Sequence, residues 1–258
     1  MQNHNTKSFN LYKGDSLMGR HGTIANRKAS QDSKRAQIFT KYARAITVAA
    51  RNGGGDPDYN IALKHAIDRA KSINMPNDNI NRAIKKGTGE LAGEMYEPGS
   101  FEGYGAGGVA VIVDVLTDNK NRTTAAMKHA FDKYGGNLGV PGCVSYMFER
   151  KGIIIIEKTD AIDEDTLMEA ALEYGAEDIL THDDSYEIQT SPETFNPVSE
   201  ALKADGYEFV EADIEYVPSI EATPTDETDI KNLKKMIEIL EENDDVQKVY
   251  TNSSIDLE

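Results

Sequence analysis

Apolar positions recur with helical period over residues 30–52, where Ile38, Phe39, Tyr42, Ala45, Ile46 and Ala49 fall in one arc at about 100° per residue. Ser30 or Asp32 stands near the start of this helix, and Gly53-Gly54-Gly55 ends it. A second helix is expected from Asp56-Pro57 through Ala70, because Asp caps and Pro suits the first turn. Its core face is Leu63, Ala66, Ile67 and Ala70. A third opens at Met75-Pro76, carries Ile80, Ala83 and Ile84, and is closed by Gly87. Three short amphipathic helices each need a partner for the apolar face, and together they make a small bundle.

Residues 90–108 are rich in Gly and Glu and read as a linker or a mobile loop. Strands and helices then alternate: strand 109–116, helix 122–134, strand 144–148, strand 153–157 and helix 163–174. A hairpin of 179–182 with 186–190, helix 195–204, strands 208–214 and 216–218, helix 229–242 and strand 246–251 complete the chain. This pattern predicts a multidomain α+β protein: an N-terminal three-helix bundle plus two ferredoxin-like βαβ-βαβ modules, one inserted in the other. The divisions expected are a disordered extension over 1–18, a basic helical domain over 19–90, a discontinuous α/β domain from 91–151 and 215–258, and an inserted α/β domain over 152–214. A single continuous sheet is the competing arrangement.

The net charge of −16 looks hostile to nucleic acid until it is divided along the chain. Residues 1–18 carry +1; residues 19–88 hold 14 basic and 5 acidic residues, a net of +9; residues 89–258 hold 12 basic and 38 acidic residues, a net of −26. Such asymmetry marks a polyanion-binding module tethered to an acidic body. On the first helix Lys34, Lys41, Arg44 and Arg51 occupy an arc beside the apolar face. Lys85 and Lys86 end the third helix, where cations also suit the helix dipole.

Other classes recede. No run of about 18 apolar residues is present, so no membrane span is expected. The first 17 residues have no apolar core of a signal peptide, and Met18 is an alternative start. The short pattern from Gly19 to Thr23 fits myristoylation only formally. A cytoplasmic location is expected. The single cysteine, Cys143, forms no internal disulfide and reads as a small buried hydrophobe. His4, His21, His65, His129 and His182 lack ligand spacing, and no serine-hydrolase or P-loop pattern appears, so neither enzyme nor metal site is expected. Asp163-Glu164-Asp165 and Asp183-Asp184 read as a helix start and a turn.

Two further segments carry candidate chemistry. Gly103-Tyr104-Gly105-Ala106-Gly107-Gly108 looks like a phosphate loop but precedes a strand, so no nucleotide cofactor is expected; a loop approaching another surface closely is the better reading. The segment from Thr117 to Thr123 groups Lys120 and Arg122 with two Asn side chains, which suits phosphate or ribose. Helix capping by Asn121 or Asp118 explains it as well, and both readings stand.

Several stretches together carry a resemblance: Arg27 to Lys41, Ile46 to Arg51, Gly54 to Pro57, Asn74 to Pro76, Asp78 to Ile80 and Arg82 to Gly87. Phe101 to Gly105, Gly107 to Val109, Thr117 to Thr123 and Gly135 to Gly139 complete it. On these motifs the sequence resembles the YebC/PmpR family, whose mitochondrial relative is a translational activator of cytochrome oxidase subunit I. The resemblance implies one helical and two α/β domains, one inserted in the other, and binding to DNA or RNA without catalysis. Some members are called transcriptional regulators and others help ribosomes past proline-rich stretches. Many relatives have Trp near the start and Pro where Ala106 stands; this chain has no Trp.

The nucleic-acid-binding candidates are Arg27, Lys28, Lys34, Arg35, Lys41, Arg44, Arg51, Arg82, Lys85, Lys86, Lys120 and Arg122, with Gly103, Tyr104, Gly105, Gly107 and Gly108 as a contact loop. The function expected is a non-enzymatic, monomeric, nucleic-acid-binding regulator, leaning to a ribosome-associated translation factor on ribosomal RNA. The alternatives are a DNA-binding transcriptional regulator and, remotely, a ligand-sensing module.

Overall fold

A computed structural model describes residues 35–255 and residue 257; the extension expected over 1–18 lies outside the described residues. The bundle consists of α1 (Arg35–Gly53), α2 (Ile61–Ser72) and α3 (Asn77–Gly87). Ile46, Ala50, Leu63, Ala66, Ile67, Ala70, Ile80 and Ala83 fill its core. Gly87 lets α3 close on α1: a Cβ there would lie 2.4 Å from the Thr47 carbonyl oxygen. The second helix starts four residues later than Asp56-Pro57 proposes. Asn60 caps it instead, accepting from Leu63 N while donating to the carbonyls of Ala49 and Gly54.

The first sheet contains β1 (Glu97–Tyr104), β2 (Ala110–Thr117), β3 (Asn137–Leu138) and β8 (Val246–Thr251), in the order β3-β1-β2-β8 and antiparallel throughout. Helices α4 (Lys120–Lys133) and α7 (Glu227–Glu241) cover one face through Val111, Val113, Met127, Phe131, Leu233 and Met236. The other face buries Ala110, Ile112 and Tyr250 under Val144 and Phe148. Covering both faces explains the nearly unbroken apolar run of β2.

The second sheet contains β4 (Phe148–Glu157), β5 (Asp178–Thr181), β6 (Ser185–Thr190) and β7 (Phe209–Pro218), in the order β5-β6-β4-β7. With α5 (Glu164–Tyr174) and α6 (Phe195–Ala204) on one side it is a ferredoxin-like βαββαβ unit. It is inserted between β3 and α7 of the first. The two sheets are separate, not one continuous sheet.

Three elements depart from expectation. The supposed linker over 90–108 contains β1, a central strand; its glycines hide it because Gly packs no side chain and is depleted from strands. Residues 144–148 form a single 3-10 turn (Ser145–Met147) and the start of β4, so the outer sheet takes its edge from the two-residue β3. Residues 216–218 are the end of β7, paired to β4 out to Phe148↔Pro218. The outer sheet thus reaches ferredoxin-like strand order by placing β1 ahead of β2, not by the βαβ-βαβ chain order expected.

Candidate nucleic-acid interface

Helix α3 buries Ile80 and Ala83, which leaves the opposite side to water. Arg82, Lys85 and Lys86 are exposed there, within an arc of about 100°. None pairs with an acid of another described residue. The helix follows α2 after a four-residue turn, 73–76, in which Asn74 takes a left-handed conformation (φ 59°) that its short polar side chain tolerates. Arg27, Lys28, Lys34 and the side chain of Arg35 lie outside the described residues.

The described part of the expected cationic strip on α1, Lys41, Arg44 and Arg51, is turned inward. Lys41 Nζ donates to the Glu241 carbonyl at 2.7 Å, and Gln37 Nε2 to that of Glu242 at 3.4 Å. Both serve the carbonyl-rich end of α7, where orphan acceptors and the helix dipole favour a cation. Arg51 donates to the Tyr96 carbonyl. Arg44 Nη1 donates to the Leu116 carbonyl at 3.0 Å and to Asp245 Oδ1 at 2.6 Å, with its guanidinium over the Tyr96 ring. The strip lies beside the apolar face of α1, and at Lys41, Arg44 and Arg51 the acidic body meets that side.

Asp245 is the centre of this contact and the residue that sequence reading missed. Its buried carboxylate also receives Arg122 at 2.9 Å and the Thr123 hydroxyl at 2.7 Å. Burial pushes its pKa up, but the hydrogen bonds from Arg122, Arg44 and Thr123 outweigh it and hold the group at about 2. The segment from Thr117 to Thr123 is therefore a helix start built around Asp245. Asn119, not Asn121 or Asp118, caps α4 by accepting from Arg122 N. Arg122 bridges Asp118 and Asp245. Lys120 pairs with Glu97 on the open surface, an ion pair of little stabilising value.

The glycine-rich loop has internal reasons for its composition. A Cβ on Gly103 would lie 2.5 Å from the Asn137 carbonyl oxygen and 2.8 Å from the Phe131 ring, and one on Gly107 2.9 Å from Pro224. Gly105 is buried beside Leu233, Tyr104 donates its hydroxyl to the Cys143 carbonyl, and only Gly107 and Gly108 of the five candidates face solvent. The surface this loop approaches closely is its own domain. Next to it, Glu102 accepts from the backbone N–H groups of Gly142, Val144 and Ser145. Burial opposes its charge, yet these three donors hold its pKa below the usual range. Cys143 is half-buried rather than fully buried. Among the described residues no group of three His, Cys, Asp or Glu is arranged to hold a metal, and no helix is long and apolar enough to cross a membrane.

A basic helical bundle seated on two interleaved ferredoxin-like sheets defines a distinct class of α+β protein. Residues 20–90 match the "TACO1/YebC protein N-terminal domain" and residues 96–253 the "TACO1/YebC second and third domain". The chain belongs to the YebC/PmpR family. A "probable transcriptional regulatory protein" of Clostridioides difficile (strain 630) is 56% identical over 93% of this chain and 100% of its own length. One of the same description from Persephonella marina is 52% identical over 89% and 92%. The crystal structure of a conserved hypothetical protein from Aquifex aeolicus superposes with a TM-score of 0.79 at 46% identity, covering 87% of this chain and 92% of that one.

Proposed function

We propose that this protein is a non-enzymatic transcriptional regulator that meets duplex DNA through the exposed face of α3. The observation that carries this reading is the solvent-facing trio Arg82, Lys85 and Lys86 on the second of two helices joined by a four-residue turn, in a segment of net charge +9. In DNA-binding helix-turn-helix motifs the second helix is the one that enters the major groove. Three exposed cations with no ion-pair partner among the described residues are positioned to displace counterions from phosphate. The descriptions of the relatives favour transcription over the ribosome-associated role expected from sequence. The body of net charge −26 is held away from the phosphates, because it would be repelled by them.

The test compares promoter duplex, random duplex and structured RNA by fluorescence anisotropy across a salt series. Replacing Arg82, Lys85 and Lys86 together by Gln is expected to lower duplex affinity at least about 10-fold and to flatten the slope of log K against log salt by about 2.7. Tighter binding to RNA than to duplex would overturn the transcriptional reading. Unchanged affinity in a folded triple variant would overturn the assignment to α3.

A further inference from the structure

The bundle is joined to the body through cations that meet acids or carbonyls across the contact. Lys41, Arg44 and Arg51 of α1 are matched by the Glu241 carbonyl, by Asp245 and by the Tyr96 carbonyl. On α2, Arg69 meets Asp213 of β7 at 3.0 Å and Lys64 meets Glu200 of α6 at 3.0 Å; in the reverse sense Lys203 meets Asp68 at 3.2 Å. The seam is not a dry apolar interface. A cleft of about 690 Å³ runs along it, lined by Lys41, Tyr42, Arg69, Asp114, Asp213 and Lys248 among others. At the seam Arg44 Nε is buried without an acceptor among the described residues, so the guanidinium is held by part of its donor set. The exposed pairs Lys64–Glu200 and Lys203–Asp68 weaken with salt, whereas the buried Arg44–Asp245 pair is screened much less.

We infer that the α1 face bearing Lys41, Arg44 and Arg51 is a second, concealed polyanion-binding surface, closed by the acidic body acting as an internal substitute for nucleic-acid phosphates. Asp245 is the main closure. It holds two guanidinium groups, one from each side of the seam, and its oxygens stand where phosphate oxygens would. Undocking removes a repulsive acidic surface and exposes three cations within about a quarter turn of one helix. The inference rests on the proposal that the bundle binds nucleic acid, and it adds that binding is held back by docking.

The experiment uses the full chain as wild type, as Asp245→Asn, and as Asp245→Asn combined with Asp213→Asn and Glu200→Gln. Small-angle scattering reads opening, and anisotropy reads duplex affinity at several salt concentrations. The combined variant is expected to expand, to gain affinity about 5- to 10-fold, and to steepen its salt slope by about 2.7, the value for three added phosphate contacts. Adding Lys41→Gln, Arg44→Gln and Arg51→Gln to that chain should return affinity and slope to wild type. A chain that stays compact with all three acids neutralised, one that opens without gaining affinity, or a gain that survives loss of the three cations would each overturn the inference. Failure of the α3 assignment is a separate result, read in the wild-type background as indifference to changes at Arg82, Lys85 and Lys86.

Discussion

Asp245 is stabilised as a carboxylate by Arg122, Arg44 and Thr123, and its folded pKa of about 2 lies below the roughly 3.9 of an unfolded chain. A depressed carboxylate stabilises the folded state above the unfolded value and loses that contribution as pH falls through the folded one. Asp245→Asn is therefore expected to cost about 2 kcal/mol at pH 7, with the gap to wild type closing between about pH 5 and pH 2. Urea denaturation at several pH values measures it. Gly103→Ala makes a contrasting prediction. Its Cβ would enter the space of Phe131 and the β3 backbone, so the loss should be in stability, about 1–3 kcal/mol, with the affinity of the folded fraction unchanged. Thermal unfolding and a binding titration on one sample separate the two. At this scale the sequence exposed the candidate cations, because their charge is intrinsic. It did not expose Asp245, one acid in a chain with 44 Asp and Glu, whose partners lie 122 and 201 residues away.

Among the elements, the helices were legible where apolar period and caps agreed, as for α3 behind Pro76 and α5 behind Asp163. The start of α2 was not, because Asp56-Pro57 offered a plausible cap before the one used. Asn60→Ala is expected to cost about 1–2 kcal/mol, since it removes the cap of α2 together with two bonds to the end of α1; hydrogen exchange at Leu63 and Lys64 checks it. Strand β1 escaped notice because a helix and an edge strand press so closely that Gly is required where a strand former would advertise itself. On α1, periodicity correctly separated an apolar arc from a cationic one. It carried no information about whether water or a second domain would cover the cationic arc.

Across the whole molecule, opposite charges occupy different parts of the chain, and the fold brings part of each into one seam. If three phosphate contacts govern binding, a rise from 50 to 200 mM salt should weaken it by about 40-fold. The same salt should also loosen the exposed docking pairs of Lys64 and Lys203, so the affinity of the Asp245→Asn chain should fall more steeply than that of wild type. Paired titrations over that range read both slopes. Lys248 shows the same arrangement between the two sheets: three carboxylates, Glu211, Asp213 and Glu215 of β7, outweigh its burial and keep it charged.

The sequence by itself determined the helical bundle, the insertion of one α/β unit in the other, the division of charge and the presence of cations on α3. These follow from local period, composition and turn chemistry, which neighbours in the chain specify. Only the tertiary structure decided that Lys41, Arg44 and Arg51 face the acidic body, that β1 lies inside a sheet, and that Asp245 holds two domains together. Those outcomes depend on which surfaces meet, and residues far apart in sequence choose their partners only when the packed faces of separate elements bring them within hydrogen-bonding distance.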